Sequence, residues 1–348
     1  MTGSEPRVVV AGNLSLDDTI SPGGTVPLAP GGDALYASSG VAAWGLTPML
    51  LTLVGADYPV DHRARIVASG IDASRIREVA GPTVHYQVTN FPDGRREYRW
   101  VSGADRLLAT SPKEQDYDVL KGAAWLHLAA MPIEAHEIGV RAAREAGVRF
   151  SLDPHEEYVL GYEARIQAMV EGSIFLPSEL EARLLFPDLA GRSALEVGYL
   201  AAERLDSWRP EVVAVKLGEL GSVVRWGGRS VHVPAPPVPV VDSTGAGDAF
   251  AGGFIVGWLA TQDPRAGAAC GTIAAAQVIQ QFGAFAPEGD EIRATRLADR
   301  IARASAILTF LPTADAADLD MNDVVNRLRA PAVAARTFDP DRTFTRTA

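Results

Sequence analysis

Short apolar runs alternate with helical patterns along most of the 348-residue chain, and this alternation constrains the fold most strongly. Runs such as RVVVAGN, GAAWLHLAA and EVVAVKLG are continuously apolar and rich in β-branched residues. Such runs are typical of strands covered on both faces, as in a parallel sheet. Segments between them, such as IEAHEIGVRAAREAG, have the period of helices. The sequence therefore predicts a mostly parallel central sheet with helices on both faces, a three-layer α/β/α sandwich.

Two segments break this rhythm, residues 17–32 and residues 82–103. The first is rich in Gly and Pro. The second has two alternating runs around PDG at Pro92–Gly94, which is typical of a hairpin turn. We expect the two segments to form a small antiparallel β-flap at one edge, where it could cover a site as a lid. A hairpin without such a function is the alternative interpretation.

Composition narrows the class of protein. The formal charge of −11 argues against a non-specific nucleic-acid binder, although it leaves room for an anionic substrate. A single cysteine, Cys270, cannot form an internal disulfide, and MTGSEPRVVV does not read as a secretory signal. No apolar run reaches the roughly 18 residues of a membrane helix. These observations predict a cytoplasmic protein that does not bind membranes.

The domain organisation is predicted to be simple. We expect one domain over residues 1–330, with the two lid segments inserted in it. Residues 331–348 show neither the helical nor the strand period and are predicted to be a disordered tail.

The stretch VVDSTGAGDAFAGGF, Val240–Phe254, carries most of the functional information. We interpret Val238–Val241 as a strand and Ser243–Gly247 as a turn that leads into a helix. The unpaired amides and the positive end of that helix would face the turn and create an anion site without Lys or Arg. Asp248 lies at its mouth. Asp is common in a first helical turn for stability alone, but the small residues GAG favour a catalytic role.

Other nucleotide and catalytic motifs do not fit. Gly245, Gly247 and Gly252 have the wrong spacing for a dinucleotide-binding loop, and the P-loop pattern is absent. The six histidines lack the spacing of zinc sites, and no G-x-S-x-G nucleophile elbow occurs.

These motifs together resemble the ribokinase-like, or PfkB, family of carbohydrate and nucleoside kinases. DSTGAGDAFAGGF is similar to the C-terminal signature of that family, and GNLSLDD is similar to its opening motif. PGGDALYAS, Pro30–Ser38, resembles the N-terminal di-glycine motif. The hairpin around Pro92–Gly94 resembles the lid. The resemblance extends from Arg7 to about Arg329 and implies the ribokinase-like fold.

The resemblance implies phosphoryl transfer from ATP to a hydroxyl of a small polyol. Asp248 would be the base that removes the proton from the attacking hydroxyl. We expect the adjacent helix N-terminus to weaken it as a base, which a loose transition state tolerates. The amides of Gly245, Ala246 and Gly247 would face the charge that develops on the γ-phosphoryl oxygens.

The acceptor would bind to the N-terminal motifs. Asp17 matches the carboxylate that binds sugar hydroxyls in the family, with Asp18 as its rival, and Gly31–Gly32 would let the backbone approach the substrate. Tyr36 stands where many sugar kinases have Asn, so it would recognise a different pattern of substrate hydroxyls from those kinases. The choice between a sugar and a nucleoside as acceptor stays open. We expect Asp33 to be a solvated loop acid.

The lid contributes further candidates. Arg95, Arg96 and Arg99 would either meet a phosphate or carboxylate on the acceptor or be solvated. His85 and Tyr86 would either close over the substrate or be exposed without such a role.

The nucleotide side is also implied by the resemblance. Glu181, in FLPSELEA, would act through Mg²⁺ and its waters, with Ser178 where the family usually has Asn. Asp242 would hold a monovalent cation such as K⁺, or else only turn the chain. The residues expected near the nucleotide are Lys216, Gly218, Gly221 and Gly283. Gly283 could equally cap the helix before it.

The expected partners are ATP with Mg²⁺ and a small polyhydroxylated substrate. The exposed sheet face of the lid also predicts a homodimer through the lid. The competing function is a sugar or nucleoside sensor that keeps the fold without catalysis. The intact Asp248 and GAG argue for an enzyme.

Overall fold

A nine-stranded sheet forms the centre of the computed structural model, which describes residues 7–21, 24–91, 96–284, 290–309 and 311. The Pro92–Gly94 turn, Arg95 and residues 331–348 lie outside the described residues, as does the side chain of Arg96. The strands, in chain order, are β1 Val8–Ala11, β2 Ser15–Ser21, β3 Gly24–Gly31, β4 Met49–Gly55, β5 Ile76–Val79, β6 Val84–Asn90, β7 Arg96–Trp100, β8 Trp125–Leu128, β9 Phe150–Leu152, β10 Ile174–Phe175, β11 Val212–Lys216, β12 Ser222–Trp226 and β13 Arg229–Val233.

The order in the large sheet is β13-β12-β11-β10-β9-β8-β1-β4-β5. The seven strands from β11 to β5 pair in parallel, and β12 and β13 add an antiparallel hairpin at one edge. The helices are α1 Asp33–Ala42, α2 Val60–Ala68, α3 Asp105–Thr110, α4 Ile133–Ala146, α5 Glu163–Val170, α6 Glu179–Leu185, α7 Ala194–Asp206, α8 Ala246–Thr261, α9 Pro264–Val278 and α10 Asp290–Thr309. The two buried clusters on opposite faces of the sheet confirm the predicted α/β/α sandwich.

The two predicted lid segments form one small sheet, with the order β3-β2-β6-β7. Its two hairpins are antiparallel, but the central pair, β2 and β6, is parallel. This differs from a wholly antiparallel flap for a simple reason. β2 and β6 follow β1 and β5, which point the same way in the large sheet, so both leave the same edge in the same direction.

One predicted strand does not form. Val238–Val241 has no strand pairing, and Val240 is 62% exposed. Residues 234–239, PAPPVP, contain four prolines, one of them inside the predicted strand, and proline lacks the N–H that a sheet requires. A hydrogen bond of 2.7 Å from Val241 N to the Ile279 carbonyl oxygen holds this connection instead. The hairpin partner of β12 is β13, which the sequence analysis missed.

Helices α1 and α8 lie in backbone contact. A Cβ atom at Gly252 would lie 2.0 Å from the Ala37 carbonyl oxygen, and one at Gly40 would lie 2.2 Å from the Ala249 carbonyl oxygen. Helix α8 is apolar on nearly all sides and is buried between α1 and α9, as expected of such a helix. The close approach fixes the N-terminus of α8 beside the N-terminus of α1.

We predict that Gly252→Ala lowers the free energy of unfolding by at least about 2 kcal/mol, because the added methyl meets backbone that cannot rotate away. Gly139→Ala on α4 is the matched control. A Cβ there meets the ends of the Leu128 and Tyr117 side chains, so we expect a loss under about 1 kcal/mol. Urea denaturation measures both, and equal losses would contradict this account of the α1–α8 contact.

Candidate active site

A polar cleft opens at the carboxyl ends of the parallel strands, between the lid sheet and the N-terminus of α8. Ligands bind at this edge in open α/β sheets. The predicted site residues that line the cleft are Asp17, Gly32, Tyr36, Glu181, Lys216, Gly245, Ala246, Gly247 and Asp248. The fold therefore brings the N-terminal motif, with Asp17 and Tyr36, and the C-terminal motif, with Asp248, together in one cleft.

The turn before α8 has the geometry of an anion site. Gly245 has φ of 72° and caps the helix, and a Cβ atom there would lie 2.0 Å from the Tyr36 ring, so only glycine fits. The amide of Ala246 makes a long hydrogen bond of 3.4 Å to the Ser243 carbonyl oxygen. In the described part of the chain, the amides of Gly245 and Gly247 donate to no protein acceptor. Two of the three predicted amides thus have no acceptor among the residues that the structure describes, and the third makes only a long hydrogen bond.

Asp248 lies in the first turn of α8, half-buried at the bottom of the cleft. Burial raises the pKa of its carboxyl well above the usual value, and the negative charges of Asp33 and Asp153 raise it further. Lys216 opposes this shift in the pKa. The pKa of Asp248 is therefore raised in the free protein, although the helix N-terminus was expected to lower it, because burial and the carboxylate neighbours act in the opposite direction.

A buried ion pair lies beside Asp248. The ammonium group of Lys216 contacts both carboxylate oxygens of Asp153, at 2.6 and 2.5 Å. Burial alone would lower the pKa of Lys216, but Asp153, Glu181 and Asp248 raise it above the usual value. Asp153 was not among the predicted site residues. Its position one residue after β9, at the ligand-facing edge, was the available signal.

Asp33 also belongs to the cleft. It is the first residue of α1 and half-buried, and it accepts no hydrogen bond from the described residues. Burial raises its pKa to about 7, with further contributions from Asp153, Asp17 and Glu156. The expectation of a solvated loop acid is wrong, because the α1–α8 contact turns the start of α1 into the cleft wall.

Asp17 and Asp18 are separated by the alternation of the lid strand. Asp17 lines the cleft, is only 7% exposed, and accepts a hydrogen bond of 2.7 Å from the Ser15 hydroxyl. Burial raises its pKa to about 6. A Cβ atom at Gly31 would lie 1.9 Å from Asp17 Oδ2, so the first glycine of the di-glycine motif makes room for this carboxylate.

Asp18 bonds elsewhere in the lid. It accepts hydrogen bonds from the Leu28 amide at 2.9 Å and pairs with His85 Nε2 at 3.1 Å. Neither Asp18 nor His85 lines the cleft, whereas Tyr86 does. Arg99 is exposed and does not line it either. Of these candidates, Asp17 and Tyr86 thus line the cleft, whereas Asp18 and His85 do not.

Glu181 is held in place at the start of α6. It forms a capping box with Ser178, whose amide donates to Glu181 Oε2 at 2.5 Å. Glu181 is 5% exposed, and burial raises the pKa of its carboxyl to about 8. The described residues contain no cluster of three or more acidic, His or Cys groups suited to a metal. A single carboxylate fits Mg²⁺ that arrives bound to phosphates rather than a metal held in a protein cage.

The remaining predicted residues lie outside the cleft. Asp242 is buried and accepts hydrogen bonds from the Thr244 amide and hydroxyl, and with Gly283 it lines a neighbouring smaller cavity. Gly283 has φ of 78° but follows the end of α9 by five residues, so it does not cap that helix. Gly218 and Gly221 form the turn after β11 and do not line the cleft.

Comparison with known proteins decides the family. The family model for the pfkB family carbohydrate kinases matches residues 8–290. The chain belongs to this family. It is a carbohydrate kinase of the pfkB type, as the motifs predicted. Among the helices that the structure describes, none is long and apolar enough to cross a membrane.

Individual relatives are moderately similar. A cytidine kinase of Thermococcus kodakarensis is 27% identical over 281 residues, which cover 79% of this chain and 97% of that protein. A fructoselysine 6-kinase of Shigella flexneri is 28% identical, with coverage of 73% and 91%. The structure of Arabidopsis thaliana ribokinase with ribose and ATP superposes with a TM-score of 0.65 at 21% identity, covering 84% of this chain and 98% of that one. The last comparison confirms the ribokinase-like fold.

The raised pKa of Asp33 predicts a pH-dependent gain in stability for Asp33→Asn. At pH 8 the folded kinase must hold an ionised, half-buried carboxylate, so we expect the variant to be more stable by about 2 kcal/mol. Below about pH 7 the folded carboxyl takes up a proton, whereas the unfolded one stays ionised down to its usual value near 3.8. The advantage of the variant therefore shrinks as the pH falls.

Urea denaturation at pH 8 and pH 5 measures the difference. Asp61→Asn, an exposed change in the first turn of α2, is the control and should show no such pH dependence. A variant that is no more stable than the wild type at pH 8 would contradict the burial of charge at Asp33.

Proposed function

We propose that this carbohydrate kinase transfers the γ-phosphoryl group of Mg·ATP to a hydroxyl of a small sugar or nucleoside, with Asp248 as the general base. One observation carries the proposal. Asp248 and the unpartnered amides of Gly245 and Gly247 share one cleft with Asp17, the buried carboxylate of the lid. A base, an anion site and an acceptor-binding group therefore converge on one volume.

The base has the properties that the reaction needs. A general base works best when its pKa lies near the working pH, and burial moves the pKa of Asp248 upward in that direction. In the reaction the proton of the acceptor hydroxyl passes to a carboxylate oxygen of Asp248, while the hydroxyl oxygen attacks the γ-phosphorus. The bond between the γ-phosphorus and the bridging oxygen breaks, and ADP leaves with that oxygen. Lys216 keeps a positive charge beside the cleft and limits the repulsion between Asp248 and the anionic nucleotide.

The anion site stabilises the transferring group. The amides of Gly245 and Gly247 are fixed by the start of α8 and require no rearrangement to meet phosphoryl oxygens. The loss of one preorganised donor of this kind typically costs about 3–4 kcal/mol of transition-state stabilisation. The Ala246 amide would join them by releasing its long bond to Ser243.

Two carboxylates are assigned to cations. Glu181 would hold Mg²⁺ through its waters, and the ion when bound neutralises charge on the ATP phosphates. Asp242 would hold a monovalent cation, such as K⁺, in the smaller cavity next to the anion site. Gly218, Gly221 and Gly283 would contribute to the nucleotide side from the turns that carry them.

Names of relatives support a polyol acceptor without fixing its skeleton. Those most similar include a cytidine kinase and a fructoselysine 6-kinase. Both names describe compounds with several hydroxyl groups. The aromatic ring of Tyr36 in place of an amide suits either a nucleoside or a substituted sugar.

The lid would close over the bound acceptor. Tyr86 and Tyr98 line the cleft from β6 and β7, and closure would exclude water from the phosphoryl group. A homodimer through the lid is part of the proposal, because β3 and β7 are its edge strands in the described chain and present backbone groups for pairing.

We predict that Asp248→Asn lowers kcat by a factor of about 10² to 10⁴, because a positioned base is lost. The Kd of Mg·ATP should stay within a few-fold of the wild type, since the amides of the anion site remain. Product formation and calorimetric ATP binding measure the two quantities. Turnover close to that of the wild type would remove Asp248 from its role.

We predict that Asp17→Asn raises the KM of the acceptor by roughly 10-fold or more, because a buried charged hydrogen-bond acceptor is lost. Asp18→Asn is the matched control on the next residue and should change KM less than threefold, since its partners are Leu28 and His85 in the lid. Steady-state kinetics with varied acceptor distinguishes them. A larger effect at Asp18 would reverse the assignment.

A further inference from the structure

Negative charge surrounds the end of the cleft where the acceptor would bind. Four of the carboxylates that line the cleft are those of Asp17, Asp33, Glu156 and Glu157. Asp17 and Glu156 both raise the pKa of Asp33, so they lie near it. The lid residue Tyr86 lies within reach of three of them, since Asp17, Asp33 and Glu157 all raise the pKa of its phenol in addition to burial. The acceptor end, defined by these four carboxylates and Tyr86, is therefore strongly acidic.

The basic groups near this end are committed to other contacts. Lys216 binds both oxygens of Asp153. His155 lines the cleft, and its Nδ1 accepts a hydrogen bond of 3.2 Å from the Glu157 amide. Arg99 alternates with Tyr98 along β7, and because Tyr98 lines the cleft, Arg99 points to the opposite face. Of the lysine and arginine side chains that the structure describes, only Lys216 lines the cleft.

Aromatic rings complete its walls. Tyr36 packs on the anion-site turn at Gly245, and Tyr86 and Tyr98 meet edge to face with centroids 6.3 Å apart. The faces of such rings attract cations and disfavour anions. The carboxylates and the aromatic faces of this pocket therefore both favour a cationic acceptor over an anionic one.

We propose that the acceptor of this kinase carries neither phosphate nor carboxylate, and that a protonated amino group on the acceptor strengthens its binding. The proposal rests on the function proposed above and adds the charge class of the substrate. It gives Glu157, Asp33 and Asp17 a role in specificity, because an anionic acceptor would meet the negative charge of each of them. Lys216, the one described lysine or arginine that lines the cleft, is already bound to Asp153.

A matched series of compounds tests the proposal. Fructose, 1-amino-1-deoxyfructose and fructose 1-phosphate differ only in the charge at C1, and glucose, glucosamine and glucuronate form a second series. In each series we expect kcat/KM to be roughly 100-fold lower for the anion than for the neutral compound, and several-fold higher for the amine. Product formation with Mg·ATP gives these values for compounds that are phosphorylated.

For compounds that are not phosphorylated, the shift in Tm in the presence of Mg·ADP ranks binding, with the same expected order. An anionic compound that ranks first in either series would overturn the proposal, and so would equal shifts, or none, from all three charge types. Phosphorylation without charge preference refutes this inference and leaves the proposed function intact. A failure to phosphorylate any polyol offered counts against the proposed function itself.

A charge-reversal variant distinguishes the effect of the carboxylates on acceptor discrimination from the effect of pocket shape. Glu157 is exposed, so Glu157→Lys should fold normally, and we expect it to reduce the discrimination against fructose 1-phosphate about 10-fold. Glu203→Lys makes the same change at an exposed position on α7 that does not line the cleft, and it should leave the ratio unchanged. Equal effects of the two variants would contradict a specific role for Glu157.

Discussion

The backbone contact between α1 and α8 is the constraint on which the site depends. Gly40 and Gly252 let the two helices approach so closely that neither position has room for a Cβ atom. Both helices begin at the cleft, so their contact brings Asp33 and Tyr36, from the N-terminal motif, against the turn that ends at Asp248. Residues more than 200 positions apart in the chain thereby form one site, and its geometry is set by buried packing rather than by flexible loops.

The same contact gathers carboxylates that repel one another. Burial raises the pKa values of Asp17, Asp33, Glu181 and Asp248, while Lys216 is the only described lysine or arginine that lines the cleft with them. Such a cluster opposes folding at neutral pH and is typical of sites where function, not stability, determines the residues. Bound cations, whether Mg²⁺ with ATP or an amino group on the acceptor, would relieve this repulsion, so ligand binding and stability should be coupled in this kinase.

The sequence predicted the sheet, the lid segments and most of the cleft, because each has a local signal. Continuous β-branched runs indicate parallel strands, and GAGD indicates a helix start that binds anions. The errors arose where the outcome depends on distant parts of the chain. The prolines before Val240 outweighed its strand propensity, and Asp33 looked like a loop acid until packing placed it in the cleft. Asp153 was missed because its partner, Lys216, lies 63 residues away.

The most direct test of the account is a crystal structure of the kinase with Mg·ADP, aluminium fluoride and an uncharged acceptor, in which the planar fluoride mimics the transferring phosphoryl group. The account predicts fluoride atoms within hydrogen-bond distance of the Gly245 and Gly247 amides, and the acceptor hydroxyl between Asp248 and the aluminium. Fluoride bound away from the start of α8, or an acceptor hydroxyl that contacts another base, would contradict it.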